Sequence, residues 1–153
     1  IISETIQEVR EISHNLIPLH LEQLGLTSTL ESVIENVERA CEISFEVDIE
    51  DIDNLLSPES EILIYRIVQE SLNNIIKHSQ ADYAEVNISK KPEMISIRIA
   101  DNGVGYSPSK SVQDRGIGIS GMRERAQLLH GQIIIEPGAH SGTVVQLTIK
   151  LDR

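Results

Sequence analysis

Two periodicities run through this chain, and together they constrain its fold more than any other feature. Ile43, Phe45, Val47 and Ile49 alternate with polar residues, as do Val145, Leu147, Ile149 and Leu151, the spacing of strands with one buried face. Strands are predicted over 43–49, 83–89, 94–100, 132–136 and 143–151, with the Lys90-Lys91-Pro92-Glu93 turn joining 83–89 to 94–100 as an antiparallel hairpin. Between them apolar residues recur at three and four. Ile2, Ile6, Val9, Ile12 and Leu16 mark a first helix, interrupted at Pro18, with a turn ending near Gly25. A second helix, capped by Thr27 or Ser28, runs to about Cys41. A third opens on Ser57-Pro58-Glu59, an N-cap followed by proline and acids, and reaches about His78. A fourth spans roughly 118–130 and stops at Gly131 in the C′ position. This pattern predicts an α+β fold, a two-layer sandwich with helices on one face of a mixed, largely antiparallel sheet.

The 153 residues fit one domain and a short extra element. Only one Phe and three Tyr are present, so aliphatic side chains must build the core. The formal net charge of −11 repels a phosphate backbone, and no nucleic-acid partner is expected. A nucleotide is not excluded, because backbone amides and a divalent metal can hold its phosphates locally. Cys41 is the only cysteine and agrees with a reducing, cytoplasmic setting. No apolar run approaches the length of a membrane span. The chain opens on Ile1-Ile2 within a helical pattern and reads as a fragment of something longer, whose parent is free to be membrane-anchored.

Three segments carry chemistry. On the third helix Ile64, Val68, Leu72, Ile75 and Ile76 share one side, and Glu70, Asn74 and Lys77 the other, with Asn73 and His78 at its flanks. A carboxylate, an amide and an ammonium on one stripe suit a hydrated metal and a polyphosphate. The plain alternative is a solvated helix face, against which stands Asn73-Asn74, a poor helix-forming pair in mid-helix. The second segment is Asp101-Asn102-Gly103-Val104-Gly105 at a strand end. An aspartate there can accept a hydrogen bond from an exocyclic amine such as N6 of adenine, although Asp-Asn-Gly is also an ordinary turn. The third is Gly116-Ile117-Gly118-Ile119-Ser120-Gly121, read as a glycine-rich loop entering a helix, whose free amides suit phosphate oxygens. It matches the dinucleotide spacing but lacks that motif's preceding strand and parallel crossover.

Taken in order, these segments resemble the nucleotide-binding boxes of histidine-kinase catalytic domains. Tyr65 to Ser79 resembles the N box, Asp101 to Gly105 the first glycine box, Gly116 to Arg125 the second, and Gly142-Thr143 the short motif after it. The wider superfamily includes type II topoisomerase, mismatch-repair and heat-shock chaperone ATPases. The Gly121-Met122-Arg123-Glu124-Arg125 stretch is similar to the branch paired with LuxR- and NarL-type response regulators. The resemblance implies a Bergerat-type ATP-binding fold, ATP or ADP with Mg²⁺ as ligands, and transfer of the γ-phosphoryl group to a histidine. It implies Asn74 and Glu70 at the metal, Glu70 partly through water or orienting the attacking group, with Asn73, Lys77 and His78 beside the nucleotide. It further implies adenine selection by Asp101, and a lid and floor built with Gly103, Gly105, Gly116, Ile117, Gly118, Gly121, Met122 and Thr143, the loop from Tyr106 to Gly118 being the mobile part.

Upstream, Asn15-Leu16-Ile17-Pro18 and Leu21 to Leu26 resemble the end of that branch's dimerisation hairpin and its hinge. Residues 1–19 are therefore read as a remnant of the hairpin and 20–153 as the catalytic domain. The partners implied are the kinase's own dimerisation domain as acceptor, a second copy in a full-length homodimer, and a response regulator. His14 is not read as the acceptor, because Asn15 follows it where an acid is expected, and an amide cannot act as a general base. His20, His130 and His140 show no metal-ligand spacing. The alternatives are an ATPase or a serine-kinase regulator of the same superfamily, or a nucleotide-free adaptor.

Overall fold

The computed structural model describes residues 2–105 and 112–152, and the side chains of 21–105 and 118–152. Its elements run α1 (Ile2–Ala40), β1 (Ser44–Ile49), α2 (Pro58–Asn74), a π-helical turn (Ile75–Ser79), β2 (Tyr83–Lys91), β3 (Met94–Asp101), α3 (Val112–Leu128), β4 (Gln132–Pro137) and β5 (Thr143–Lys150). The sheet order is β1-β2-β3-β5-β4. β1 pairs parallel with β2, and β2–β3, β3–β5 and β4–β5 pair antiparallel. The expected α+β sandwich is thus present, a mixed five-stranded sheet with helices packed on one face.

Register explains where the core lies. Val86 stands opposite Ile99 and Ile99 opposite Val145, which faces Ile135 in turn. A neighbouring row runs Ile88, Ile97, Leu147, Ile133. Because side chains alternate between faces, these rows share one side. Against them pack Leu26, Leu30, Val33, Ile34 and Val37 of α1, Ile64, Tyr65, Ile67, Val68 and Leu72 of α2, and Met122, Ala126 and Leu129 at α3. The opposite face is polar: Tyr83 donates to Glu46, its hydroxyl pKa pushed up to about 12 chiefly by that bond, and Arg98 pairs with Glu85 at 3.2 Å.

Several boundaries differ from expectation. The helix is not interrupted at Pro18; the break falls at Gly25, with φ 83° and ψ 167°. A proline removes one ladder bond, whereas Gly25 takes a conformation that other residues resist. A Cβ there would meet Asp53 Oδ2 at 2.6 Å. The helix restarting at Leu26 is capped not by its own Ser28 but from the loop after β1: Thr27 N donates to Asp53 Oδ1 at 2.8 Å, and Ile52 N donates to Thr27 Oγ1 at 3.0 Å. Asp53→Ala is expected to lower stability by about 1 kcal/mol through loss of this cap. Gly25→Ala should cost more, and urea denaturation of the two variants checks the order.

The hairpin turn shrinks to Pro92-Glu93, since Lys90 and Lys91 still pair with Ile95 and Met94. Helix α3 begins at Val112, not near 118, and Gly131 is not its left-handed residue. His130 is, with φ 53°, while Gly131 N reaches Ala126 O at 2.9 Å to complete the helix end. β5 ends at Lys150, and Leu151 N turns to the Glu93 carbonyl at 2.9 Å. Among the described residues no helix is long and apolar enough to cross a membrane.

Candidate functional site

The second helix holds its register to Asn74 and then loosens into the π-turn, Ile75–Ser79. Such turns carry an extra residue per hydrogen-bonded ring and swing the side chains that follow. Asn73-Asn74, poor helix formers, sit where the change begins. As a result Ser71, Asn74, Ile75, His78 and Ser79 line one cleft, whereas Lys77, exposed, does not. The cleft occupies about 560 Å³, including solvent at its mouth, and its other walls are Ile99, Asp101, Gly105, Ile119, Met122, Ile135, Thr143 and Val145.

Asp101 is the sheet's contribution. It shares the parity of Ile95, Ile97 and Ile99, so strand alternation directs it to the helix-covered side, where it ends the ladder opposite Ala84. Its Oδ1 accepts Gly103 N at 2.8 Å, and Thr143 N donates to the same carboxylate. Burial nevertheless dominates and holds the Asp101 pKa above the usual aspartate value, those two bonds only partly opposing it. An acceptor kept costly to ionise, among walls formed by Ile99, Met122, Ile135 and Val145, could receive a hydrogen-bond donor carried on a flat apolar ring.

Turn and helix end meet at Gly103. A Cβ there would lie 2.1 Å from the Ser79 carbonyl, and Val104 N donates to that same oxygen at 2.7 Å. Ser79 Oγ donates to Ile75 O at 2.5 Å and accepts Ala81 N at 3.0 Å, closing the π-turn. Ser71 Oγ donates to Ile67 O at 2.9 Å and reaches Met122 Sδ at 3.4 Å, joining α2 to α3 under the cleft.

The predicted residues divide into groups. Asn74, His78, Asp101, Gly105, Met122 and Thr143 share the cleft walls. Gly103 stands behind them, and Asn73 and Lys77 are not among the lining residues. Glu70 faces α3, where a Cβ on Gly118 would lie 2.3 Å from its Oε1. Gly116, Gly118 and Gly121 do not form a loop entering a helix; they lie within α3, past its first turn. Only the first four amides of a helix are free, so the amides of this run are not terminal donors. Glycine disfavours helix by about 1 kcal/mol against alanine, but it lets α3 come close to Glu70. The expected lid over Tyr106 to Gly118 falls outside the described residues at 106–111 and is helical from Val112. Among the described residues no group of three His, Cys, Asp or Glu is arranged to hold a metal.

Ser71, Ile75, Ser79, Ile99, Ile119, Ile135 and Val145 were not expected at the site. Strand parity marks Ile99, Ile135 and Val145 as inward neighbours of Asp101 and Thr143. Ile75 and Ser79 follow only once the π-turn is known.

This fold is that of an ATP-binding domain, and the chain belongs to the histidine kinase-, DNA gyrase B- and HSP90-like ATPase family, whose profile matches residues 59–153. Histidine kinases are among its relatives. The oxygen sensor histidine kinase NreB of Staphylococcus carnosus is 32% identical over 151 residues, 99% of this chain and 44% of that protein. The signal transduction histidine-protein kinase/phosphatase DegS of Brevibacillus brevis is 30% identical over 152 residues, 98% of this chain and 39% of that protein. The chain therefore spans less than half the length of either relative. Among solved structures, the histidine kinase domain of a blue-light activated kinase from Erythrobacter litoralis shares the fold with a TM-score of 0.78 at 19% identity, covering 95% of this chain and 75% of that one. The ATP binding domain of PrrB from Mycobacterium tuberculosis has a TM-score of 0.66 at 19% identity, covering 84% of this chain and 95% of that one.

Proposed function

We propose that this chain binds Mg-ATP in the cleft and transfers the γ-phosphoryl group to a histidine on the dimerisation domain of a two-component sensor kinase. The observation that carries the reading is the half-buried Asp101 carboxylate, set among aliphatic walls across from Asn74 and His78. Asp101 accepts the adenine amine while Ile99, Met122, Ile135 and Val145 cover the ring. The Asn74 side chain makes no hydrogen bond to another described residue and is free to hold Mg²⁺, with Glu70 acting on the metal through water or orienting the attacking group. Magnesium keeps several waters and takes phosphate oxygens as ligands, which fits a site without a protein cage. When bound, the metal neutralises phosphate charge; the protein supplies position.

Asn73, Lys77 and His78 stand near the phosphates in this reading, and Gly116, Ile117, Gly118, Gly121 and Thr143 flank the nucleotide with Gly103 and Gly105. Residues 1–19 are the end of a dimerisation hairpin, and 20–153 the catalytic domain. Burial of Leu26 to Val37 in the common core supports a boundary well upstream of residue 59. The acceptor is a histidine of that hairpin other than His14. This domain is cytoplasmic, has no nucleic-acid partner, and belongs to a kinase that is a homodimer at full length and serves a LuxR/NarL-type response regulator.

Calorimetry tests the first step. Mg-ATP and Mg-ADP are expected to bind and Mg-GTP to bind more weakly. No heat at millimolar Mg-ATP would end the reading.

A further inference from the structure

The cleft depends on three separate chain segments keeping their relative places: the π-turn with its exit, the end of β3, and the turn from β4 to β5. One residue outside the cleft touches all three. Asn102 is exposed and, as the neighbour of Asp101, points to the other side of the sheet. Its Oδ1 accepts both Asp82 N and Tyr83 N, each at 3.1 Å, and its Nδ2 donates to Asp82 Oδ1 at 2.7 Å. Its backbone N donates to Tyr83 O at 3.1 Å, and its carbonyl accepts Ser141 Oγ at 3.1 Å. The side chain thus takes over where the β2–β3 ladder stops at Ala84 and Asp101.

We propose that Asn102 is a positioning residue for adenine recognition, holding the Asp101 turn against the segment after the π-turn and against the turn that carries Thr143. The inference rests on the ATP reading above and adds a residue to it. The geometry is specific to an amide. Two backbone donors converge on one oxygen, and the nitrogen meets a carboxylate. Alanine keeps neither contact, and aspartate keeps the oxygen but sets a second negative charge against Asp82. Each segment that Asn102 ties lies next to a cleft residue: Ser79 before Asp82, Asp101 beside it, Thr143 after Ser141. Loosening the tie lets the Asp101 carboxylate relax towards solvent, so its raised pKa should fall as adenine contact is lost.

The test measures ATP and GTP affinity by calorimetry below the melting temperature, with an NMR titration of the Asp101 carboxyl. Asn102→Ala and Asn102→Asp are expected to weaken ATP binding about tenfold, a lost hydrogen-bond network's worth. GTP binding should change little, so the preference for ATP shrinks, and the Asp101 titration should move towards the usual aspartate range. Combining Asn102→Asp with Asp82→Asn restores a donor–acceptor pair between the two side chains and should recover most of the affinity. A lower melting temperature with affinity, base preference and Asp101 titration unchanged would make Asn102 a structural staple and overturn the proposal. A wild-type domain that does not distinguish ATP from GTP would overturn the adenine reading itself, and this proposal with it.

Discussion

Asp101→Asn is expected to weaken ATP binding by about one to two orders of magnitude. In the folded domain the carboxylate already accepts Gly103 N and Thr143 N, and burial raises its pKa. The substitution replaces an acceptor by a group that donates from one side, leaving a buried partner unpaired at a cost of about 1–3 kcal/mol. Stability should respond differently from affinity. Since the folded-state pKa lies above the unfolded one, ionising Asp101 opposes folding. Its stabilising contribution is complete below the unfolded pKa and is lost as pH rises through the folded value. Relative to the asparagine variant, the wild type should therefore lose stability over that window and show a constant gap above it. Thermal melts of both proteins from pH 4 upward, beside calorimetry, check the two halves. Undiminished ATP affinity in the variant would remove Asp101 from the site.

That cost explains why Asp101 was legible as a candidate site residue. An acid closing an apolar strand is costly to bury, and Asp-Asn-Gly marks the turn that follows it. The sheet was legible for the same reason: alternation at Val145, Leu147 and Ile149 fixes one face, and the register follows. Helix junctions were harder. Pro18 looks like a breaker and Gly25 like the end of a turn, but the actual cap comes from Asp53, distant in sequence. No local rule finds a carboxylate that arrives from another element. The glycine run misled in the opposite direction. Gly116, Gly118 and Gly121 signal a loop by propensity, yet they lie in a helix, and at Gly118 the missing side chain leaves room for Glu70. The π-turn was visible only as the awkward Asn73-Asn74 pair, so Lys77 was placed on the stripe with Asn74, where the extra residue in the turn brings His78 instead.

Asn74→Asp is expected to abolish phosphoryl transfer while leaving the fold intact. Asn74 is the last residue of α2, half-buried on the cleft wall, and its side chain caps nothing. An isosteric acid at that place disturbs no packing, so stability should stay within about 0.5 kcal/mol. Function is more exposed. Phosphoryl transfer relies on positioning and charge neutralisation, and an added negative charge beside Mg²⁺ and the phosphates opposes both. Loss of one such preorganised contact lowers rates by about 10²–10³. The assay presents the domain with the dimerisation segment of its own kinase and labelled Mg-ATP, and scores acid-labile, alkali-stable phosphate, the signature of phosphohistidine. Wild type should label that segment and not His14, and the variant should label neither. Unimpaired transfer by the variant would remove Asn74 from the metal site. Label on His14 would move the acceptor into this chain, and rapid hydrolysis without any acceptor would favour a plain ATPase.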